Sequence, residues 1–130
     1  MQMNGNLIDT NIIIKAMHNE NVVVDCLLKL DSIYIPVITI GELAYGTKKS
    51  KRQKANQILL DEFVAGYEVL EVDEETAKAY GQIKADLVKQ GKNIPENDLW
   101  IAAIAIRNNL ALITCDGHFE GIPNLNSVIL

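Results

Sequence analysis

Cysteine is scarce in this 130-residue chain: Cys26 and Cys115 lie far apart and form no CxxC pair, so a disulfide framework is not written into it. No apolar run approaches the roughly 20 residues that a membrane span needs. The N-terminus lacks the basic region and cleavage site of a secretory signal, since Asp9 and Asn11 interrupt its apolar stretch. A soluble, reducing, cytoplasmic setting is the expectation. Glycine-rich phosphate loops, Ser-His-Asp and Cys-His arrangements, repeats, low-complexity tracts and linker-like stretches are also missing. Basic charge is in short supply: 12 Lys and Arg stand against 17 Asp and Glu, a net charge of −5. Taken alone that argues against a nucleic-acid partner, because affinity for phosphates comes mainly from Lys and Arg.

What the chain does have is apolar content, 48% of its residues. That is enough for a single domain over residues 1–130 burying roughly two-thirds of the surface its unfolded chain would expose. It also has four carboxylates, each beside an apolar segment: Asp9 in Leu7-Ile8-Asp9-Thr10-Asn11, Glu42 in Ile40-Gly41-Glu42-Leu43, Asp98 in Asn97-Asp98-Leu99-Trp100, and Asp116 in Leu112-Ile113-Thr114-Cys115-Asp116. A carboxylate next to a core is costly unless paired with donors or a cation, so the recurrence suggests one shared cation site. Divalent cations held there would cancel most of the net charge. Lys48, Lys49, Lys51, Arg52 and Lys54 then form a basic segment able to touch a phosphate backbone, or a solvated helix end.

The pattern along the chain alternates strand and helix. A buried strand is expected over 6–9, helices up to about 17 and over 22–30, and a strand over 33–37 with Pro36 near its end, where a missing N–H is tolerated. Two helices, 39–45 and 51–64, are expected to break at Gly46, followed by a strand over 67–72. Asp73 is a good N-cap for a helix over 74–89 that Gly91 closes. Pro95 starts a helix to about 109 whose 99–106 run is apolar almost all round, hence central. Strands over 111–114 and 127–130 complete the chain. Strands separated by helices imply a parallel sheet covered on both faces, with ligands beyond the carboxyl ends of the strands. Asp9, Asp116, Glu42 and the N-terminal turn carrying Asp98 all fall at that edge, although the pattern does not say how the 74–89 helix returns the chain there.

In order and spacing, Leu7-Ile8-Asp9-Thr10-Asn11, Gly41-Glu42-Leu43, Pro95-Glu96-Asn97-Asp98 with Ile101-Ala102-Ala103, and Thr114-Cys115-Asp116-Gly117-His118-Phe119 resemble the motifs of PIN-domain ribonucleases, most closely the VapC-type toxins of toxin–antitoxin pairs. The resemblance covers the whole chain. It implies a three-layer α/β/α sandwich with a central parallel sheet, and Mg²⁺- or Mn²⁺-dependent cleavage of RNA. It also implies a cognate antitoxin that blocks the site, and homodimerisation. By motif match, Asp9, Glu42, Asp98 and Asp116 take the catalytic, metal-binding roles, with Asn11 and Thr114 as polar neighbours. Lys48, Lys49, Lys51 and Arg52 are candidates for RNA contact, and Ile40, Leu43, Tyr45, Ile58 and Leu59 for an apolar groove that takes a partner helix.

The residue types suit that chemistry. Mg²⁺ and Mn²⁺ prefer carboxylate and water oxygens, whereas one cysteine and one histidine near the site are too few for zinc's usual ligand sets. Each carboxylate also has an ordinary use: Asp9 as a helix cap, Glu42 as an exposed helix residue, Asp98 as a complement to a helix dipole, Asp116-Gly117 as a turn pair. His118 reads as a surface or strand-end residue, and Tyr45 and Trp100 as core or interface packing. Two other functions remain open: a PIN-fold RNA-binding or scaffold module with little catalysis, and an aspartyl-phosphate phosphatase, in which Asn11 would stand where a second acid is usual.

Overall fold

Leu7 and Ile8 are both fully buried, yet they belong to different cores, because successive side chains of a strand point to opposite faces. Leu112 and Ile113 repeat the alternation on a neighbouring strand. The computed structural model describes residues 4–130. Its strands β1 (Asn6–Ile8), β2 (Ile33–Pro36), β3 (Glu68–Leu70), β4 (Ala111–Thr114) and β5 (Ser127–Ile129) form one parallel sheet in the order β3-β2-β1-β4-β5. Helices α1 (Thr10–Met17), α2 (Asn21–Lys29), α3 (Val37–Lys49), α4 (Gln53–Ala65), α5 (Glu74–Lys89) and α6 (Glu96–Arg107) connect them. Ile12, Ile13, Val23 and Leu27 of α1 and α2 cover the Ile8 face, and Ile83, Leu87, Leu99 and the buried run Ile101–Ala105 cover the Leu7 face. The result is the expected three-layer α/β/α sandwich.

β1 lies between β2 and β4, so the chain leaves it in opposite directions across the sheet. This is a topological switch point, and a crevice forms there at the carboxyl ends of the strands. The route by which α6 reaches that edge follows from three pairings along α5: Asp73 pairs with Arg107 at 3.3 Å, Tyr80 stacks on Trp100 with ring centroids 4.0 Å apart, and Lys84 pairs with Glu96. Rising numbers on one helix meet falling numbers on the other. The two helices are therefore antiparallel, and α6 begins at the carboxyl edge. Gly91, at φ +68°, supplies the left-handed residue that ends the connection from α5.

Two expectations need correction. α3 does not break at Gly46 but runs from Val37 to Lys49. A glycine inside a helix costs about 1 kcal/mol, and the next residue opposes the break: the hydroxyl of buried Thr47 lies 2.8 Å from the Ala44 carbonyl oxygen and 2.9 Å from Gln57 Oε1, sharing its one proton between them and tying the last turn to α4. The strand expected over 67–72 pairs only from Glu68 to Leu70. The 3₁₀ turn Gly117–Gly121 after β4 has no counterpart in the sequence pattern; it buries Phe119 completely.

Candidate functional site

Asp9 stands where β1 passes into α1, and it is only 4% exposed. Its two oxygens have different work. Oδ1 accepts the Thr10 N–H at 2.8 Å, which is the capping role. Oδ2 accepts the Thr114 hydroxyl at 2.7 Å and the Asn11 amide at 3.3 Å. Thr114 in turn accepts the Asp116 N–H at 3.0 Å, and Asn11 Oδ1 accepts the Cys115 N–H at 3.2 Å. Asn11 and Thr114 thus stitch the ends of β1 and β4 together around one carboxylate. Burial raises the Asp9 pKa above its ordinary value; the Thr114 and Thr10 hydrogen bonds oppose this, and the charges of Glu42 and Asp116 reinforce it.

Asp98, in the first turn of α6, and Asp116, after β4, approach one another through His118. His118 Nε2 lies 2.9 Å from Asp98 Oδ2 and Nδ1 lies 2.9 Å from Asp116 Oδ1. One ligand atom from each of the three falls within 4.8 Å of the others. The Asp98 pKa is also raised, first by burial and then by the Asp9 charge; His118 opposes this, and Glu42 adds to it. Glu42 sits on α3, its Oε1 accepting the Thr10 hydroxyl at 2.8 Å, and Thr10 also reaches the buried Thr39 hydroxyl at 3.2 Å. The four carboxylates predicted from sequence therefore converge on one edge and influence one another's ionisation.

Three participants were not anticipated. Thr10 holds Glu42 and is backed by the Thr39 hydroxyl, and His118, read as a surface or strand-end residue, bridges two acids. The signals were present in the neighbours: Thr10 sits between Asp9 and Asn11, and His118 follows Asp116 by two residues. Lys48, Lys49, Lys51 and Arg52 are exposed at and beyond the end of α3, outside the carboxylate cluster. Of the predicted groove, Leu43 and Leu59 do line a cleft of 280 Å³, with Ile14, Met17 and Leu60. Ile40 packs instead in the core, and Tyr45 and Ile58 do not line this cleft.

The donor set fits a hard divalent cation. Acceptor oxygens of four carboxylates outnumber the hydroxyl, amide and imidazole groups available to them, and two of these acids have pKa values raised by burial, the condition a nearby cation relieves. Cys115 packs toward the core, so thiolate ligation is not offered. No helix among the described residues is long and apolar enough to cross a membrane.

The sequence matches the PIN domain family over residues 7–125. It is 36% identical over 124 residues to "Ribonuclease VapC2" of Rickettsia felis, covering 92% of each chain. It is 33% identical over 124 residues to "tRNA(fMet)-specific endonuclease VapC" of Shigella flexneri, covering 93% of this chain and 94% of that one. Among solved structures, a chain of VapBC2 from Rickettsia felis, crystallised bound to a DNA fragment from the promoter, superposes with a TM-score of 0.91 at 32% identity, covering 98% of this chain and 99% of that one.

Proposed function

This chain belongs to the PIN domain family, and on that premise we propose that it is a metal-dependent endoribonuclease, the toxin of a toxin–antitoxin pair. The observation that carries the reading is the convergence of Asp9, Glu42, Asp98 and Asp116 at the switch point, with Asp9 buried and tied to β4 by Thr114. Relatives with this fold are named ribonucleases and endonucleases, and one is named for tRNA(fMet).

Asp98, Asp116, Asp9 and Glu42 would hold Mg²⁺ or Mn²⁺, with His118 beside the first two. Such an ion supplies Lewis-acid stabilisation of charge on a phosphodiester and lowers the pKa of a water. The protein's own residues set the geometry. Thr114 holds the Asp9 carboxylate toward the cluster, Asn11 fixes the segment after β4, and Thr10, itself in contact with the Thr39 hydroxyl, holds Glu42. These supporting hydrogen bonds matter because a displacement of about 1 Å in a catalytic constellation can cost about 100-fold in rate. The exposed lysines and Arg52 supply the attraction for phosphate that the carboxylates lack.

The partner is an antitoxin, as in the VapBC assemblies of similar fold. The cleft lined by Leu43, Leu59 and Leu60 suits the apolar face of an amphipathic helix, and the acidic site suits a basic side chain from the same partner. A cytoplasmic setting belongs to the same proposal. The test is to express the chain and its Asp98→Asn variant separately and map RNA ends in both. New ends confined to the wild type are expected; identical maps contradict the reading.

A further inference from the structure

A second cleft, of 560 Å³, opens directly beside the carboxylates and has no part in the interactions described so far. Val37, Ile38, Gly41 and Tyr45 form one stripe of α3, spaced so that they share a face, and Asn97 of α6 stands opposite. The cleft borders the acidic site at its α3 wall. Glu42 lines it, and Asn97 immediately precedes Asp98. At Gly41 nothing lies within 4 Å of the place a Cβ would take, so the wall is open to a flat group. Tyr45 is 65% exposed, and Lys49 Nζ sits over its ring, 4.6 Å from the centroid.

We propose that this cleft is a nucleobase subsite, holding the unpaired base that flanks the scissile phosphate. The inference rests on the ribonuclease reading and extends it to the way the strand is held. The carboxylate cluster, with a cation to offset its charge, would meet only the phosphate, so the contacts that hold a base must come from beside it. The cleft offers the right chemistry: an apolar floor, an aromatic face, and an amide that both donates and accepts, as a base edge requires. Glu42 is the one carboxylate among the residues lining it, and it belongs to the acidic cluster. The Lys49 cation on Tyr45 is placed to meet the adjoining phosphate.

The experiment uses a synthetic RNA spanning a linkage cleaved by the wild-type protein, and two versions carrying an abasic nucleotide on one or the other side of that linkage. One of the two should lower kcat/KM for the wild type about tenfold, the scale of removing one base–aromatic stack. Tyr45→Ala should lower kcat/KM on the intact RNA by a similar factor, with no further loss on the abasic RNA, while Tyr45→Phe keeps the wild-type response. Tyr45 is exposed, so its truncation leaves the core intact. A full abasic penalty in Tyr45→Ala overturns the subsite. So does a change of oligomeric state in that variant without a change in the penalty, which would make the face an interface between two copies. Cleavage without coupling removes the subsite alone; no cleavage by the wild type removes the ribonuclease reading and the subsite with it.

Discussion

The Thr114 hydroxyl donates to Asp9 Oδ2 at 2.7 Å across 105 positions of sequence, and both residues are buried. The bond joins the ends of β1 and β4, the two strands that flank the crevice. It also orients a carboxylate that the surrounding acids would otherwise repel. The same hydroxyl accepts the Asp116 N–H, so a single oxygen sets two of the four acids.

Thr114→Val keeps the shape and removes that oxygen. It should lower cleavage about 10- to 100-fold, the usual effect of removing a group that orients a metal ligand. It should also cost about 1–3 kcal/mol of stability, because buried Asp9 Oδ2 keeps only the longer bond from the Asn11 amide and the Asp116 N–H loses its acceptor. Urea unfolding and cleavage rates measured on the same preparation check both numbers. Full activity in a destabilised variant would mean that the bond is structural only.

Asp98→Asn should abolish cleavage and yet raise the melting temperature of the metal-free protein at neutral pH. A carboxyl whose folded pKa lies above its unfolded value near about 3.9 is no burden below the unfolded value; it destabilises the fold fully above the folded one. Asp98 is raised in this way, by burial and by Asp9. The gain should therefore shrink as pH falls through that window. Asp9→Asn should gain less, since the same change weakens the Thr114 hydrogen bond. Melts in EDTA across pH 4–8 measure it, and a large loss of stability in Asp98→Asn runs against the account.

Replacing Lys48, Lys49, Lys51 and Arg52 with Gln should weaken RNA binding and flatten its salt dependence, by about 0.7 in log–log slope for each phosphate that is no longer neutralised. Turnover at saturating RNA should change much less, because these side chains stand outside the carboxylate cluster. Unchanged affinity and slope would assign the segment to solvent.

Leu59→Arg should prevent binding of the inhibitory partner while leaving cleavage in place. Leu59 lines the cleft with Leu43 and Leu60 and is 54% exposed, so the change leaves the core intact. Co-expression with the product of the adjacent upstream reading frame, followed by co-purification and a cleavage assay, decides it. A product that neither binds nor inhibits the wild type contradicts the toxin assignment.

Most of the fold was legible because its elements carry strong periodicity and explicit ends. Asp73 caps α5 as expected, accepting the Thr76 N–H at 2.8 Å, and β4 occupies the residues predicted for it. Gly46 misled because a local helix breaker is outweighed by a tertiary hydrogen bond from Thr47, which no short stretch of sequence contains. The four acids were legible as a set because each adjoins a buried segment. His118, Thr10 and Thr39 were not, since their roles depend on which strand ends meet. Tyr45 was placed with Leu43 by spacing on a helix expected to end at 45; the turn of the longer α3 puts it in a different cleft.

In the function proposed above, the carboxylates at the switch point work through a divalent cation. The direct measurement is cleavage of a tRNA(fMet) transcript and of total RNA by the purified protein, first stripped with EDTA and then returned to Mg²⁺ or Mn²⁺. The stripped protein should not cleave, either ion should restore cleavage, and Asp98→Asn should show none at any ion concentration. Undiminished cleavage by the fully demetallated wild type would contradict it.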